Sequence, residues 1–303
     1  MNIADLFKKE HTVFSFEVFP PKKESGIETI YSTLNELKNL NPDFISVTYG
    51  AGGKGVANAT TIDLCSYIKN ELGTETIAHL SCLYNTKESI DRILDELDEK
   101  GVKNILALRG DVNPDFAIEK DFKYASDLTE YIMSKNRGFN ISGACYPEVH
   151  QEAANMIEDI QNLKKKVDSG ADHLISQLFF DNQVFFDFQE KARIAGINVP
   201  IEAGIMPVTN KKQIERMVSM CGASIPAKLS KVLQRFGDNH EAMRDAGISY
   251  AIDQIIELAA HGVDGVHIYT MNDPYVARRI SEGVKNILKS CLLYTSPSPR
   301  DCS

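Results

Sequence analysis

Glu17 is the residue of this sequence whose setting most directly suggests chemistry. It is a single carboxylate within an apolar and aromatic stretch, residues 14–21. Removal of a carboxyl group from water favours its neutral form, and a general acid has to hold its proton near neutral pH. The stretch therefore predicts Glu17 as a proton donor. A buried carboxylate that is satisfied by backbone amides is the alternative.

Asp111 is a second candidate, because it closes the run Arg109-Gly110-Asp111 directly after a predicted buried strand. A carboxylate at the end of a parallel strand is well placed to act on a bound molecule. The same spacing also fits a simple ion pair between Asp111 and Arg109. From the residues alone, the two interpretations stay equally open.

A third set of polar side chains falls at helical spacing. Asp159, Asn162 and Lys166 are three and four residues apart, which places them on one helix face, and Lys164 and Lys165 add positive charge beside them. A carboxylate, an amide and an ammonium group on one face could bind ribose hydroxyls and a pyrophosphate. The pattern by itself favours a solvated helix face with a lysine cluster.

Several common cofactor motifs are absent from the sequence. The glycine-rich stretch 49–55 does not match a P-loop, because Gly55 follows Lys54 where Ser or Thr is required. No G-x-G-x-x-G fingerprint occurs, so a dinucleotide would have to be held in another way. The histidines lack H-x-x-x-H spacing and the cysteines form no Cys-x-x-Cys pair, so no metal site is expected.

Composition restricts the class of protein. The chain has 303 residues, 43% of them hydrophobic and 25% charged, with a formal net charge of -9. This is an ordinary globular composition, and the negative balance argues against a nucleic-acid surface or attraction to an anionic membrane. The sequence has no apolar run of membrane-spanning length and no secretory signal at residues 1–11, and its six cysteines are scattered, so a reducing cytoplasm is expected.

The final stretch, residues 291–303, differs from the rest of the chain. It reads CLLYTSPSPRDCS, with four Ser or Thr, two Pro and no helical or strand periodicity. This string matches one reading frame of a common transposon-derived sequencing adaptor. We therefore expect a non-native tail and a domain formed by residues 1–290. A disordered natural tail is the alternative.

Short apolar runs alternate with longer helical patterns and would position these candidates. The predicted strands are residues 13–18, 44–48, 76–82, 104–108, 140–145, 173–178, 199–205 and 265–270. Their continuous apolar character indicates strands covered on both faces, and eight such strands with following helices predict an α/β fold, a single-domain (β/α)8 TIM barrel. An open doubly wound sheet is the alternative, although it would favour a glycine fingerprint after the first strand. Most predicted strand ends carry polar groups, which argues for an enzyme.

Nine motifs stand in order between residues 13 and 288. They are SFEVFPPK, DFISVTYGAGG, AHLSCL, ILALRGD, YASDL, YPEVHQEA, LKKKVDSGADHLISQLFFD, PIEAGIMPVTN and HIYTMN. Together they resemble the methylenetetrahydrofolate reductase family. The resemblance implies a flavin-containing barrel that reduces 5,10-methylenetetrahydrofolate to 5-methyltetrahydrofolate with NADH or NADPH through bound FAD, in ping-pong fashion, and supplies methyl groups for methionine synthesis. It also implies a homo-oligomer.

The resemblance further implies roles for individual residues. Glu17 matches the acid that protonates N10 of folate, so that the five-membered ring opens to an electrophilic iminium. Asp111 matches an aspartate beside the flavin that also contacts folate. Gln177 and Gln213 match folate contacts, and Thr48 resembles a nicotinamide contact. Positions that match FAD-binding residues are Tyr49, Ala51, His79, Arg109, Gly110, Asp111, Ala125, Tyr146, His150, Ala153, Asp159, Asn162, Lys165 and Lys166.

Two positions depart from the family pattern. After Asn272 many members carry arginine, whereas this chain has Asp273. An acid there would repel the glutamate tail of folate, so Arg278, Arg279 or a loop lysine would have to substitute. Lys165 stands where arginine is common, and it could still meet a phosphate, although without a bidentate fork.

Two other functions remain as alternatives. Another flavin-barrel oxidoreductase, of the proline-dehydrogenase type, would not need Glu17 as an acid. A non-catalytic folate- or flavin-binding partner would need neither Glu17 nor Asp111, and the presence of both argues against it. The choice between NADH and NADPH is open, because no ribose-reading motif is visible.

Overall fold

Eight parallel strands form a closed barrel in chain order, and the last strand pairs with the first. The computed structural model describes residues 1–8, 11–21, 26–49, 56–112 and 118–290. The strands are β1 (Val13–Val18), β2 (Phe44–Val47), β3 (Glu75–Ser81), β4 (Asn104–Leu108), β5 (Asn140–Cys145), β6 (Ala171–Ser176), β7 (Ile201–Ile205) and β8 (Gly265–Tyr269). The predicted barrel is confirmed.

Helices surround the barrel. They are α1 (Ile27–Lys38), α2 (Val56–Ser66), α3 (Lys87–Glu99), α4 (Ala125–Ser134), α5 (Met156–Asp168), α6 (Asn182–Ile194), α7 (Lys211–Cys221), α8 (Ala227–Phe236), α9 (His240–Ala260) and α10 (Pro274–Ser290), and a π-helical turn, Tyr67–Glu71, extends α2. Three helices follow β7, whereas one helix connects each of the earlier strands to the next. Residues 50–55 and the predicted tail, 291–303, lie outside the described residues.

Side chains alternate along each strand between the barrel interior and the helices, as the pleat requires. On β1, Phe16 and Val18 pack in the large apolar layer between strands and helices. Val13 belongs to a separate apolar cluster inside the barrel, and Ser15 and Glu17 share its side of the strand. The alternation therefore gives the interior an apolar lower part and polar groups above it.

A short 3-10 helix, Ile3–Lys8, lies at the lower end of the barrel. Ile3 and Leu6 are buried in the interior apolar cluster together with Val13 and Phe44. The ring of Phe7 contacts the imidazole of His173 in a tilted arrangement, with the ring centroids 4.8 Å apart. This helix covers the end of the barrel opposite the predicted active face.

The long helix α9 approaches the loop that follows β7 very closely. A Cβ atom on Gly247 would overlap the backbone carbonyl of Val208, which cannot move without shifting the loop. A Cβ atom on Gly283 of α10 would instead lie 2.8 Å from the flexible end of Ile252. Glycine at 247 is therefore a packing requirement rather than a local helix preference.

We expect Gly247→Ala to lower the free energy of unfolding by about 1–3 kcal/mol, because overpacking against backbone outweighs the better helix propensity of alanine. Gly283→Ala is the matched control, since it makes the same change within a helix against a movable side chain. Urea unfolding of both variants measures the difference. Equal stability of the two would contradict the packing argument.

Candidate active site

The Glu17 carboxyl lies at the C-terminal end of β1, inside the barrel mouth. Its Oε2 atom is 3.6 Å from Nε2 of His79 on β3 and 3.6 Å from Nε2 of His267 on β8. The Glu17 side chain retains 19% of its exposure, so a bound molecule can reach it. The carboxyl therefore stands between two imidazoles with one side open to the cavity.

The two apolar residues directly before and after Glu17 are not its neighbours in space. Phe16 and Val18 point to the helices, so they do not desolvate the carboxyl as the sequence suggested. The groups that surround it come from other strands, above all His79 and His267. The carboxyl is enclosed within the barrel mouth, but not by Phe16 and Val18, from which its desolvation was predicted.

His79 is almost completely buried beside Glu17. Burial lowers the pKa of His79 to about 4, and the attraction of Glu17 only partly opposes this effect. The imidazole is therefore neutral at pH 7 and places no positive charge beside the Glu17 carboxyl. A cation in this position would stabilise the carboxylate and oppose proton donation.

A cavity of about 570 Å³ opens above Glu17 and is called the central cavity here. Its walls include aliphatic side chains such as Leu106, Leu108 and Ile175, and three methionines, Met206, Met217 and Met271. The predicted site residues that line it are Glu17, Thr48, Tyr49, His79, Arg109, Gly110, Asp111, Tyr146, His150 and Gln177. The structure thus brings together residues from six of the eight strand ends.

A second cavity of about 420 Å³, the lateral cavity, lies beside the first between β4, β5 and one face of α5. Leu108, Arg109, Ala144, Tyr146 and His150 line both cavities, which are therefore adjacent. The predicted residues that line the lateral cavity are Arg109, Ala125, Tyr146, His150, Ala153, Asp159, Asn162, Lys165 and Lys166. Ala51 lies outside the described residues.

Arg109 pairs with Glu152 and not with Asp111. Both terminal nitrogens of Arg109 donate to the Glu152 carboxylate, one of them at 2.7 Å. The Asp111 residue is exposed at the rim of the central cavity, and its backbone oxygen accepts a hydrogen bond from the Tyr84 hydroxyl at 3.1 Å. The ion-pair alternative for Asp111 is therefore wrong, and its carboxylate stands at the mouth.

The face of α5 that carries Asp159, Asn162 and Lys166 faces the lateral cavity. Asp159 accepts a hydrogen bond from the backbone N–H of His150 at 2.9 Å, and burial raises the pKa of Asp159. Lys166 reaches over Gly143 to donate to the backbone oxygen of Ala144, and burial lowers its pKa. Asp159 and Lys166 are therefore partly buried and hydrogen-bonded within the protein. The solvated helix face that the pattern favoured is not what the structure shows.

Three predicted substrate-side residues do not line either cavity. Gln213 is exposed on the first turn of α7, where its backbone N–H donates to Asn210. Arg278 pairs with Glu36, and Arg279 donates to the Tyr275 hydroxyl. The arginines are therefore not placed to substitute at the cavity for the arginine that the family pattern leads one to expect.

Asp273 has a structural partner instead. Its Oδ1 atom accepts hydrogen bonds from the backbone N–H groups of Tyr275 and Val276, at 3.0 and 3.1 Å, at the start of α10. A carboxylate at a helix start satisfies otherwise unpaired donors. This N-cap accounts for an acid at position 273.

The ends of β1 and β8 are joined above the barrel. The Thr270 hydroxyl donates to the backbone oxygen of Glu17 at 2.6 Å. The Asn272 side chain accepts from the backbone N–H of Phe19 at 3.0 Å and donates to its backbone oxygen at 2.8 Å. These bonds hold the segment after Glu17 against the end of β8.

Sequence reasoning placed Tyr269 at the active face, as a polar residue at the end of the eighth strand, but did not assign Ser15 or His267 to the site. Ser15 faces His267 and Glu17 faces Tyr269 in the β1–β8 register. The alternation of side chains along these strands could have revealed them, because residues 15 and 17 on one strand and 267 and 269 on the other must share the interior face. Burial keeps the pKa of Tyr269 well above its usual value, and its hydroxyl donates to the Ser176 backbone oxygen.

Among the described residues, no group of three or more His, Cys, Asp or Glu side chains is arranged to hold a metal ion. No helix in the same ranges has the length and apolar character needed to cross a membrane.

Known proteins share the sequence pattern. The family model of methylenetetrahydrofolate reductase matches residues 2–285. The 5,10-methylenetetrahydrofolate reductase of Escherichia coli is 37% identical over 258 residues, covering 85% of this chain and 86% of that protein. The Arabidopsis thaliana protein methylenetetrahydrofolate reductase (NADH) 1 is 37% identical over 284 residues, covering 89% of this chain and 48% of that protein. The chain spans about half the length of this plant relative.

Solved structures share the fold. An uncharacterized protein from Clostridium thermocellum that binds two copies of 5-methyl-5,6,7,8-tetrahydrofolic acid superposes with a TM-score of 0.69 at 16% identity, over 95% of this chain and 100% of that one. Tryptophan synthase from M. tuberculosis gives a TM-score of 0.54 at 11% identity, over 93% of this chain and 96% of that one. At these identities the likeness shows a common barrel.

The burial of His79 predicts a pH dependence of stability. The pKa of His79 is about 4 in the folded protein against 6.5 for an imidazole in water. Between these values the unfolded chain binds a proton that the folded protein does not, so the free energy of unfolding decreases as pH falls from 6.5 towards 4. We expect His79→Gln to reduce the slope of unfolding free energy against pH in that window by up to about 1.4 kcal/mol per pH unit. Urea unfolding of the ligand-free proteins measures it, and identical slopes would refute the assignment.

Proposed function

This chain belongs to the methylenetetrahydrofolate reductase family, and we propose that it reduces 5,10-methylenetetrahydrofolate to 5-methyltetrahydrofolate. One observation of the structure carries the proposal. A carboxyl group, Glu17, lies at the base of the central cavity beside a neutral imidazole, His79, where it can reach a bound molecule. That placement suits the donation of a proton to a substrate nitrogen at neutral pH.

The family implies FAD, and the residues present fit it. A dinucleotide cofactor needs a flat enclosed site for its ring system and a polar site for its ribose and diphosphate. The central cavity has aliphatic and aromatic walls, and the adjacent lateral cavity brings Asp159, Asn162, Lys165 and Lys166 to one side. We assign the ring system to the central cavity and the ribose and diphosphate to the lateral cavity.

The bound flavin would supply the redox chemistry, accepting hydride from NADH or NADPH and passing it to the one-carbon unit of folate. The protein's part is binding and proton delivery. If nicotinamide and folate enter the same central cavity in turn, ping-pong kinetics follow. Thr48 and Gln177 both line that cavity, in agreement with their proposed contacts to nicotinamide and folate.

Glu17 has a definite task in this scheme. Its carboxyl proton passes to N10 of methylenetetrahydrofolate, the C–N bond to N10 breaks, and the ring opens to an iminium at N5 that can accept hydride. The neutral state of His79 helps, because a positive charge on that imidazole would stabilise the Glu17 carboxylate and oppose release of its proton. Asp111 at the rim would contact folate from the solvent side.

The remaining parts of the proposal rest on the family to which the chain belongs. Contact of Gln213 with folate stays a prediction, because its side chain is exposed on α7 outside the cavity lining. Supply of methyl groups for methionine synthesis, a cytoplasmic location and a homo-oligomer likewise stay predictions. The acid at the cavity base favours the reductase over a flavin-barrel enzyme that needs no acid and over a non-catalytic binding partner.

Separate half-reactions test the function. The purified protein with FAD is mixed without oxygen with NADH or NADPH in a stopped-flow instrument, and bleaching of the flavin is followed. Methylenetetrahydrofolate is then added, and reoxidation is followed by the return of absorbance. Failure of either half-reaction with both nucleotides would refute the proposal, and the faster nucleotide identifies the preferred reductant.

We expect Glu17→Gln to retain flavin reduction by NAD(P)H and to slow reoxidation by methylenetetrahydrofolate by about 10²–10⁴-fold, the usual contribution of a general acid. The amide keeps the size of the side chain but cannot give up a proton at neutral pH. Glu36→Gln, a surface change in α1, is the control. Equal losses in both half-reactions of Glu17→Gln would show that the assignment of the acid is wrong.

Adjacent lysines test the lateral cavity. Lys165 lines it, whereas Lys164 pairs with Asp168 and does not. We expect Lys165→Met to weaken FAD binding about fivefold, since one charge-assisted hydrogen bond to phosphate contributes about 1 kcal/mol at an exposed site. Lys164→Met is the matched control and should bind FAD as the wild type does. Fluorescence titration of FAD gives both constants, and equal affinities would contradict the placement.

A further inference from the structure

Five polar residues lie completely buried inside the barrel beside and below Glu17. They are Ser15, Ser46, His173, Glu202 and His267, contributed by β1, β2, β6, β7 and β8. The proposed function gives none of them a task. Their contacts with one another reach upward to Glu17.

These contacts form a continuous chain. The Ser15 hydroxyl is hydrogen-bonded to Oε1 of Glu202 at 2.8 Å and to Nδ1 of His267 at 2.6 Å. Nε2 of the same imidazole lies 3.6 Å from Oε2 of Glu17. A hydroxyl can donate one hydrogen bond while it accepts another, so Ser15 connects Glu202 to His267 whichever of them holds the proton.

Glu202 faces a second imidazole on its other side. Its Oε2 atom is 3.1 Å from Nε2 of His173, and neither atom has another partner among the described residues. Nδ1 of His173 is 2.9 Å from the Ser142 hydroxyl. Burial raises the pKa of Glu202 to about 8 and lowers the pKa of His173 to about 4. At neutral pH the pair is uncharged, with a proton on Glu202.

The charges around Glu202 support the neutral acid. Asp43 and Asp264, from the loops before β2 and β8, add negative potential that disfavours its carboxylate. His267 and the Ser15 hydroxyl act in the opposite direction but do not outweigh burial. The hydroxyl of Ser46 on β2 contacts this series of hydrogen-bonded groups at Nε2 of His267, at 3.3 Å.

The fold makes specific room for Glu202. A Cβ atom on Gly265 of β8 would lie 2.6 Å from Cγ and 3.0 Å from Oε1 of Glu202. A buried acid without a cationic partner costs stability relative to an apolar side chain. An apolar residue would fill the interior at lower cost, so the acid is not explained by packing.

We propose that Glu202 is a proton reserve for Glu17, connected to it through Ser15 and His267. The inference rests on the proposed function, in which Glu17 gives its proton to folate. A reserve matters because bound substrate and flavin would cover the mouth and hinder the return of a proton from solvent. Glu202 can supply one from below.

The proton transfer from Glu202 to Glu17 needs no other reactant. The proton on Oε1 of Glu202 passes to Ser15, the hydroxyl proton of Ser15 passes to Nδ1 of His267, and the Nε2 proton of His267 passes to the Glu17 carboxylate. Three bonds to hydrogen break and three form, and no electrons are transferred to another group. Glu17 ends neutral and Glu202 ends as a carboxylate. The last step requires the Glu17 side chain to approach His267 from its present 3.6 Å.

The pH profile of Glu202→Gln tests the proposal. Glutamine preserves shape and hydrogen bonding but has no proton to give. The rate of flavin reoxidation by methylenetetrahydrofolate should fall at high pH as the acid loses its proton. In Glu202→Gln we expect this fall to begin about one pH unit lower, so that the rate at pH values above its midpoint is about tenfold lower than in the wild type. Flavin reduction by NAD(P)H should be unchanged at every pH. Glu75→Gln at the start of β3, a partly buried carboxyl that pairs with Lys69 and lies outside these contacts, is the matched control and should not move the profile.

Two further readouts make the result decisive. Ser15→Ala interrupts the chain while leaving Glu202 in place, so it should shift the profile in the same way, and it serves if Glu202→Gln does not fold. Infrared spectra at pH 7 should show the carbonyl stretch of a protonated carboxylic acid in Glu17→Gln, where Glu17 cannot contribute it. Ser15→Ala and Glu75→Gln should keep this band, and the double variant Glu17→Gln/Glu202→Gln should lack it.

A rate that is unchanged, or that falls equally at all pH values, would overturn the proton reserve. Absence of the infrared band would overturn it as well, whatever the outcome with folate. If the wild type itself does not reduce methylenetetrahydrofolate, the proposed function is refuted, and Glu17 then has no substrate to which it could pass the proton. Failure of the reserve alone would leave wild-type turnover intact.

Discussion

Closure of the barrel between β1 and β8 is the contact on which the site depends. The pairing places Ser15 opposite His267 and Glu17 opposite Tyr269, so the first strand receives its interior neighbours from the last. The hydrogen bonds from Thr270 and Asn272 then hold the segment after Glu17 at that edge. A shift of one residue in this register would turn every one of these side chains towards the helices.

The barrel could be predicted from local patterns because its elements are locally encoded. Continuous apolar runs identify strands covered on both faces, and the apolar stripe of α3, for example, is visible at spacings of three and four and is buried. Strand ends shifted by at most two residues, as for β6 and β7. Such boundaries depend on pairing with neighbouring strands, which a single segment does not reveal.

From the residues alone, the candidate site was predictable where a residue type at a strand end was informative by itself, as for Glu17. The cofactor residues of α5 were predicted only from the family resemblance. Glu17 and most of the expected cofactor residues line the two cavities, whereas Gln213 does not. The pairing of Arg109 with Glu152 was missed because it joins different loops. Ser15 and Glu202 are 187 positions apart, and no local pattern can show that their side chains touch. The helix cap formed by Asp273 shows, in addition, that an unexpected acid can have a purely structural cause.

The 3-10 helix under the barrel has a consequence for the order of folding. Ile3 donates its backbone N–H to Asn104 on β4 at 3.2 Å, and the Asn2 side chain donates to Asp172 on β6 at 3.0 Å. These partners are 101 and 170 positions away, so large loops must close before the contacts form. During synthesis on the ribosome the helix emerges before all the strands that it covers. Its docking has to wait until more than half of the polypeptide has been made.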